Sequence, residues 1–364
     1  MKKILLALAV LASMQVANAQ VKSAADAKKA VEAAEAAASN EKKAIKTATW
    51  IKLGQEYVKA YDAPTGNIIP GSSKTELALM MGSEKPVSTE AVEIQGTPYT
   101  KEVYADKNLY FNANGQLAVI EVTKPVYADA LEKAIAAYQK AYDLDASHSK
   151  SKDIAAAFDL IGQKYNTEAY NKYTLGDLAS ASKYFEKAAE VEALAPLSKI
   201  DTTSIYNAGF TAWATKDMSK AKELFEKCYN LGYYYEGGEV FAKLADVDTL
   251  NTKKYLEEGF EKFPQSQSIL IGLINYYLKS NESTDRLFEL LDKAKANEPN
   301  NASLFYVEGN IRSQLGDTEN AVKAYRKCAE INPEYEYGFI GTTRLSRFRQ
   351  RLRTSLMTPS TWHS

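Results

Sequence analysis

Residues 302–333, ASLFYVEGNIRSQLGDTENAVKAYRKCAEINP, constrain the fold more than any other stretch, because the rest of the chain repeats their pattern with more variation. Large residues (Phe305, Leu315, Tyr325) alternate at helical spacing with small ones (Gly309, Ala321, Cys328), and Gly316-Asp317 interrupts the middle. Pro333 closes the stretch, since its ring clashes with a continuing helix and it has no N–H to donate. The pattern predicts a helix, a tight turn and a second helix. Small residues let the two approach closely while aromatics fill the space beside them.

Earlier stretches end at Pro299 and Pro264, a period of about 34 residues. Gly209, Ala221, Phe225 and Cys228 repeat the small and aromatic positions, as do Gly176-Asp177, Ala181, Phe185 and Ala188, with Pro196 a little late. Trp50, Leu53, Gly54 and Tyr57 fit a first helix of the same kind, and Ala134, Tyr138 and Ala141 a second. These residues resemble the tetratricopeptide repeat, whose pattern is W-x2-L-G-x2-Y, then A-x3-F, then P. The resemblance covers most of residues 21–62 and 126–337 and implies an all-α fold, a solenoid of helix-turn-helix repeats. Thr252, Leu287 and Asn275 depart from the pattern, standing where alanine, alanine and glycine are usual. Units near them are expected to pack less regularly.

Composition agrees with a helical array: alanine, lysine, glutamate and tyrosine are abundant, and there are 18 glycines and 10 prolines in 364 residues. The chain opens with Lys2-Lys3, an apolar run from Ile4 to Ala12, and Ala17-Asn18-Ala19 before Gln20. That reads as a cleaved signal peptide over residues 1–19, too short for a membrane span, and implies a periplasmic or secreted bacterial protein. The formal charge is 45 basic against 46 acidic residues. Setting aside the two lysines of the signal and the five arginines of residues 338–364 leaves 38 against 46 for residues 20–337, a net of −8. So acidic a body argues against a nucleic-acid partner, which requires a basic face.

Residues 20–62 begin with an alanine-rich helical stretch expected to cap the array, followed by the first helix of a repeat. From 63 to 125 the pattern changes: Pro64, Gly66, Pro70, Gly71, Pro86, Gly96 and Pro98 punctuate it, and only Thr75 to Gly82 could hold a helix. Lys107–Phe111 and Gln116–Val122 flank Asn114-Gly115, which predicts a β-hairpin. The segment reads as an insertion between the two helices of one repeat. The array resumes over 126–337. In residues 338–364 five arginines appear abruptly inside a unit that has just begun. This suggests either a shifted or truncated reading frame or a basic amphipathic helix.

Little chemistry is available. The two histidines, His148 and His363, form no metal-binding or triad pattern, and Asp143, Asp145 and His148 read as a solvated turn after a second helix. The glycines of YNLGYYYEGGE lack the spacing and lysine of a phosphate loop. Cys228 and Cys328 occupy the same small position three units apart, too far for a disulfide, and are expected as free core thiols. No cofactor and no catalytic activity are expected.

In the tetratricopeptide family, first-helix positions 2, 5, 9 and 12 point into a concave groove. The resemblance places Tyr170, Tyr173, Tyr206, Phe210, Trp213, Tyr234, Phe241, Tyr276 and Tyr306 there. Rings with a polar tip supply much contact area for little lost entropy, although tyrosines also serve to pack neighbouring units. The expected function is a non-enzymatic scaffold binding a peptide segment of another protein outside the cytoplasm. The alternative is stacking on a glycan or cell-wall polymer.

Overall fold

The computed structural model describes residues 23–332, apart from Asn67 and residues 281–283. The expected signal segment, Pro333 and the arginine-rich tail lie outside the described residues. The chain divides into two compact units between Ser204 and Ile205.

The first unit contains α1 (Ala24–Ala38), α2 (Glu41–Ala44), α3 (Thr47–Asp62), α4 (Lys74–Met81), β1 (Ser88–Ile94), β2 (Thr97–Val103), β3 (Lys107–Phe111), β4 (Leu117–Val122), α5 (Ala130–Leu144), α6 (Ser151–Thr174) and α7 (Leu178–Glu192). Although residues 63–129 separate α3 from α5, the two helices pack along one another. The reason is local: a Cβ on Gly54 would lie 2.7 Å from the Tyr138 ring, so only glycine lets that ring rest on α3. A single core joins Val31, Leu53 and Tyr57 to Ala134, Tyr138, Phe158 and Ile161. The alanine-rich α1 buries only one narrow face, with Ala27, Val31, Ala34 and Ala38, against α3.

The inserted segment is larger than the single hairpin expected. It forms a four-stranded antiparallel meander in the order β1-β2-β3-β4, with α4 preceding it. The expected hairpin is β3–β4, with Gly115 at φ 74° and the Asn112 side chain accepting from the Asn114 and Gln116 N–H groups at 2.9 and 3.1 Å. The additional hairpin, β1–β2, turns at Gln95-Gly96, both at positive φ. Its strand β1 is mostly exposed, and its sequence STEAVEI shows too little apolar contrast to mark a buried face. Leu77, Tyr104, Leu109, Phe111, Leu117 and Ile120 form the core of the insert. Two side chains tie it to α6: Asn171 Nδ2 donates to the Ile120 carbonyl at 3.0 Å, and Gln95 Nε2 to the Tyr173 carbonyl at 2.9 Å.

The second unit contains all but the first turn of α8 (Thr202–Ala214), α9 (Met218–Asn230), a 3-10 turn at Glu236–Gly238, α10 (Glu239–Val247), α11 (Thr252–Lys262), α12 (Gln267–Lys279), α13 (Asp285–Asn297), α14 (Ala302–Gln314) and α15 (Thr318–Ile331). Close contacts occur where small residues stand: Gly209 meets Phe225 and Leu224, and Gly309 meets Tyr325. Where Asn275 replaces the usual glycine it is exposed, and the close approach on α12 is instead made by Gly272 against Leu256 of α11.

Three of the turns between paired helices are built alike. Gly176, Lys216 and Gly316 adopt φ of 84°, 65° and 81°. The next residue, Asp177, Asp217 or Asp317, donates its N–H back to the carbonyl of Lys172, Ala212 or Arg312. The same aspartate then caps the following helix by accepting from the Ser180, Lys220 or Asn320 N–H. One short turn thus satisfies the end of one helix and the start of the next.

Candidate functional site

The nine aromatic residues expected to line a partner-binding face do not share one environment. In the first unit, Tyr170 on α6 is exposed, its ring standing edge-on 5.1 Å from Phe185. Tyr173, one turn on, is half-buried, and burial raises its hydroxyl above the ordinary range.

In the second unit the set separates into surface and core. Phe241 is fully buried, packed over Gly259 and 4.7 Å from the Tyr234 ring, so it is a core residue and not part of an open face. Helix α10 is short and turns Val240, Phe241, Leu244 and Ala245 inward together. Tyr206 is 5% exposed and stacks at 3.9 Å on Tyr235, so its role is also packing. Tyr234, Tyr276 and Tyr306 remain half-buried, each ring within 6 Å of another: Phe241, Tyr277 and Tyr325 respectively.

Phe210 and Trp213 make the most developed surface. Their rings lie 5.8 Å apart on α8 and both are half-buried. Lys243 of α10 sits with its ammonium 3.3 Å from the Trp213 ring centroid and 5.5 Å from that of Phe210. Asp246, one turn further along α10, accepts the Trp213 indole N–H at 2.6 Å. Burial lowers the Lys243 pKa, opposed by the Glu239 and Asp246 carboxylates. Sequence reasoning missed Lys243 and Asp246 because it looked for rings. Their spacing of three on α10, facing a tryptophan one pair earlier, was the available signal.

The family model described as tetratricopeptide repeat matches residues 202–231 and 302–335, the α8–α9 and α14–α15 pairs. Both pairs are tetratricopeptide repeats. The chain is 23% identical over 187 residues to a TPR repeat-containing protein of Methanocaldococcus jannaschii, an alignment covering 46% of this chain and 33% of that one. It thus spans about a third of the length of the curated relative it matches. Among solved structures, it is similar to YrrB, titled a TPR protein with an unusual peptide-binding site, at 20% identity and a TM-score of 0.32, covering 54% of this chain and 96% of that one. It is similar to yeast Tom70 at 13% identity and a TM-score of 0.37, covering 88% and 70%.

Other polar groups of the chain serve its turns. The Asp145 carboxylate accepts from the Lys150 N–H at 2.6 Å and from the Ser147 and Ser149 hydroxyls, which lowers its pKa. His148 packs its ring against Tyr142 at 5.7 Å. Cys228 and Cys328 are free and fully buried, and burial pushes the Cys228 thiol up to about 12. Among the described residues no group of three His, Cys, Asp or Glu side chains is placed to hold a metal ion, and no helix is long and apolar enough to cross a membrane.

Proposed function

We propose that this chain is a non-enzymatic scaffold that binds a peptide segment of a partner protein outside the cytoplasm, through the face carrying Phe210 and Trp213. The observation behind this reading is the fixed cluster of Trp213, Phe210, Lys243 and Asp246: two partly open rings held in place by a cation over one ring and a carboxylate on the indole N–H. Rigid aromatic groups with polar groups already oriented lose little entropy on binding and recur at the centres of protein interfaces. The same geometry disfavours the glycan alternative, because Lys243 already covers one face of the indole that a sugar ring would stack upon. The extracytoplasmic setting is proposed from the pattern of residues 1–19.

A photocrosslinker at position 243, used in intact cells, is expected to trap a protein whose peptides are identified by mass spectrometry. Trp213→Ala and Phe210→Ala should each weaken binding of that peptide about tenfold or more. Unchanged affinity in both variants with the helical spectrum intact, or saturable binding of oligosaccharide and no peptide, rejects the reading. N-terminal sequencing of the exported protein should begin at Gln20; recovery only as the intact chain from the cytoplasm removes the extracytoplasmic part.

A further inference from the structure

In the first unit a cleft of about 140 Å3 opens between β4 and helices α3, α5, α6 and α7. Tyr61, Glu132, Tyr165, Glu168, Lys172 and Tyr184 line it. Tyr165, Glu168 and Lys172 are spaced three and four apart, so α6 presents them on one face. The Tyr165 hydroxyl is buried and makes no hydrogen bond among the described residues, an expensive arrangement for a polar group. Burial first, and the Glu132 carboxylate second, hold that hydroxyl protonated.

The carboxylates of the cleft are not equally served. Glu132 is paired with Lys187. Glu121, also lining the cleft, accepts from Asn108 and Tyr110 at 2.9 Å, and these bonds hold it ionised against the burial that would raise it. Glu168 accepts from the Tyr61 hydroxyl at 2.7 Å, and no ion pair of this carboxylate is formed among the described residues. Its pKa is raised, chiefly by burial and further by Glu121, with Lys172 opposing. Glu121 has Lys101 as well as Lys172 to offset it, whereas Glu168 has Lys172 alone and, among the described residues, no ion pair closes on it. A buried carboxylate short of a counter-charge is stabilised by any cation that can reach it.

We propose that this cleft binds an organic cation, a guanidinium or primary ammonium on a short aliphatic stem, with Glu168 as counter-ion and the Tyr165 hydroxyl as acceptor. The volume is close to that of a cavity of about 150 Å3 able to hold a benzene-sized molecule. The Tyr165 and Tyr184 rings, 6.1 Å apart and inclined by 30°, already carry the Lys187 ammonium 5.5 and 5.9 Å from their centroids, so the ligand cation belongs at the Glu168 end of the cleft. Asn171 holds β4 against α6 and so fixes the wall opposite. The site uses none of the residues of the Phe210–Trp213 face, and the two proposals fail separately.

The test is calorimetric titration of the full chain with butylguanidinium and n-butylammonium, and with butyrate and butanol as anionic and neutral probes of similar length. Either cation should bind saturably while butyrate and butanol do not. Glu168→Gln should weaken the cation about tenfold or more, and Tyr165→Phe several-fold. Glu223→Gln, a surface change on α9, should leave it unaltered. Because the glutamine removes a costly buried charge and can still accept from Tyr61, Glu168→Gln is expected to melt no lower than the parent, which separates lost binding from lost structure. Undiminished binding in Glu168→Gln, equal binding of butanol, or no saturable binding of either cation overturns the proposal. An acetyl-Gly-Arg-Gly amide binding more tightly than butylguanidinium makes the cation a peptide side chain; weaker binding makes it a free amine or guanidine.

Discussion

At Gly309 two effects of a methyl group oppose each other. Alanine favours a helix over glycine by about 1 kcal/mol, but its Cβ would lie 2.5 Å from the Tyr325 ring. Overpacking of that kind costs about 1–3 kcal/mol, so Gly309→Ala is expected to lower the melting temperature measured by circular dichroism. Gly54 against Tyr138 obeys the same logic. Glu56 is one of the carboxylates that make the first unit acid-sensitive. Burial would raise its carboxyl, yet hydrogen bonds from Lys52 and Lys59 at 2.7 and 3.0 Å overcome burial and hold it at about 2 rather than near 4.5. A folded-state pKa below the unfolded one contributes stability that is complete above about 4.5 and is lost as pH falls toward 2. Lys52→Met with Lys59→Met should flatten the acid limb of a stability-against-pH curve over that window; an unchanged slope would show that Glu56 does not contribute to it. The small-against-aromatic contacts were legible in the sequence because each joins residues at fixed offsets within one repeat. Phe241 was not, because which way its short helix turns depends on Gly259 in the next one.

At the level of elements, the repeated turn carries two tests. Removing the cap with Asp217→Ala should cost about 1 kcal/mol in denaturant unfolding, as loss of a side-chain cap does elsewhere. Lys216 holds a left-handed conformation for which its two counterparts use glycine, and Lys216→Gly should return up to about 1 kcal/mol. The clasp between the insert and α6 is equally specific. Asn171→Ala with Gln95→Ala should speed amide exchange in β4 and the β1–β2 turn, since each bond is worth about 1 kcal/mol, while exchange in α14 and α15 stays as it was. Hairpin β3–β4 could be read from Asn114-Gly115, whereas β1–β2 could not. Gln95 tolerates positive φ without announcing it, and both faces of β1 carry polar residues.

Across the whole molecule, helices are stabilised mainly by neighbours close in sequence, so damage should remain local. Phe158→Ala empties part of the core of the first unit, where a change of this size costs about 3–5 kcal/mol. Hydrogen exchange should accelerate in α5, α6 and α7 and be unchanged in α14 and α15; uniform acceleration would mean the chain unfolds as one cooperative body. The succession of helix pairs was evident from periodicity. The cation cleft was not, because its walls come from β4 and four helices that no spacing rule links. The closure of α3 on α5 has a further consequence. Joining two helices through residues 63–129 instead of a short turn adds only about 3 kcal/mol of loop entropy, because that cost grows with the logarithm of length. The gap between those helices is therefore a port where a foreign folded cassette could be spliced in, or the native one exchanged, with the flanking pair left intact.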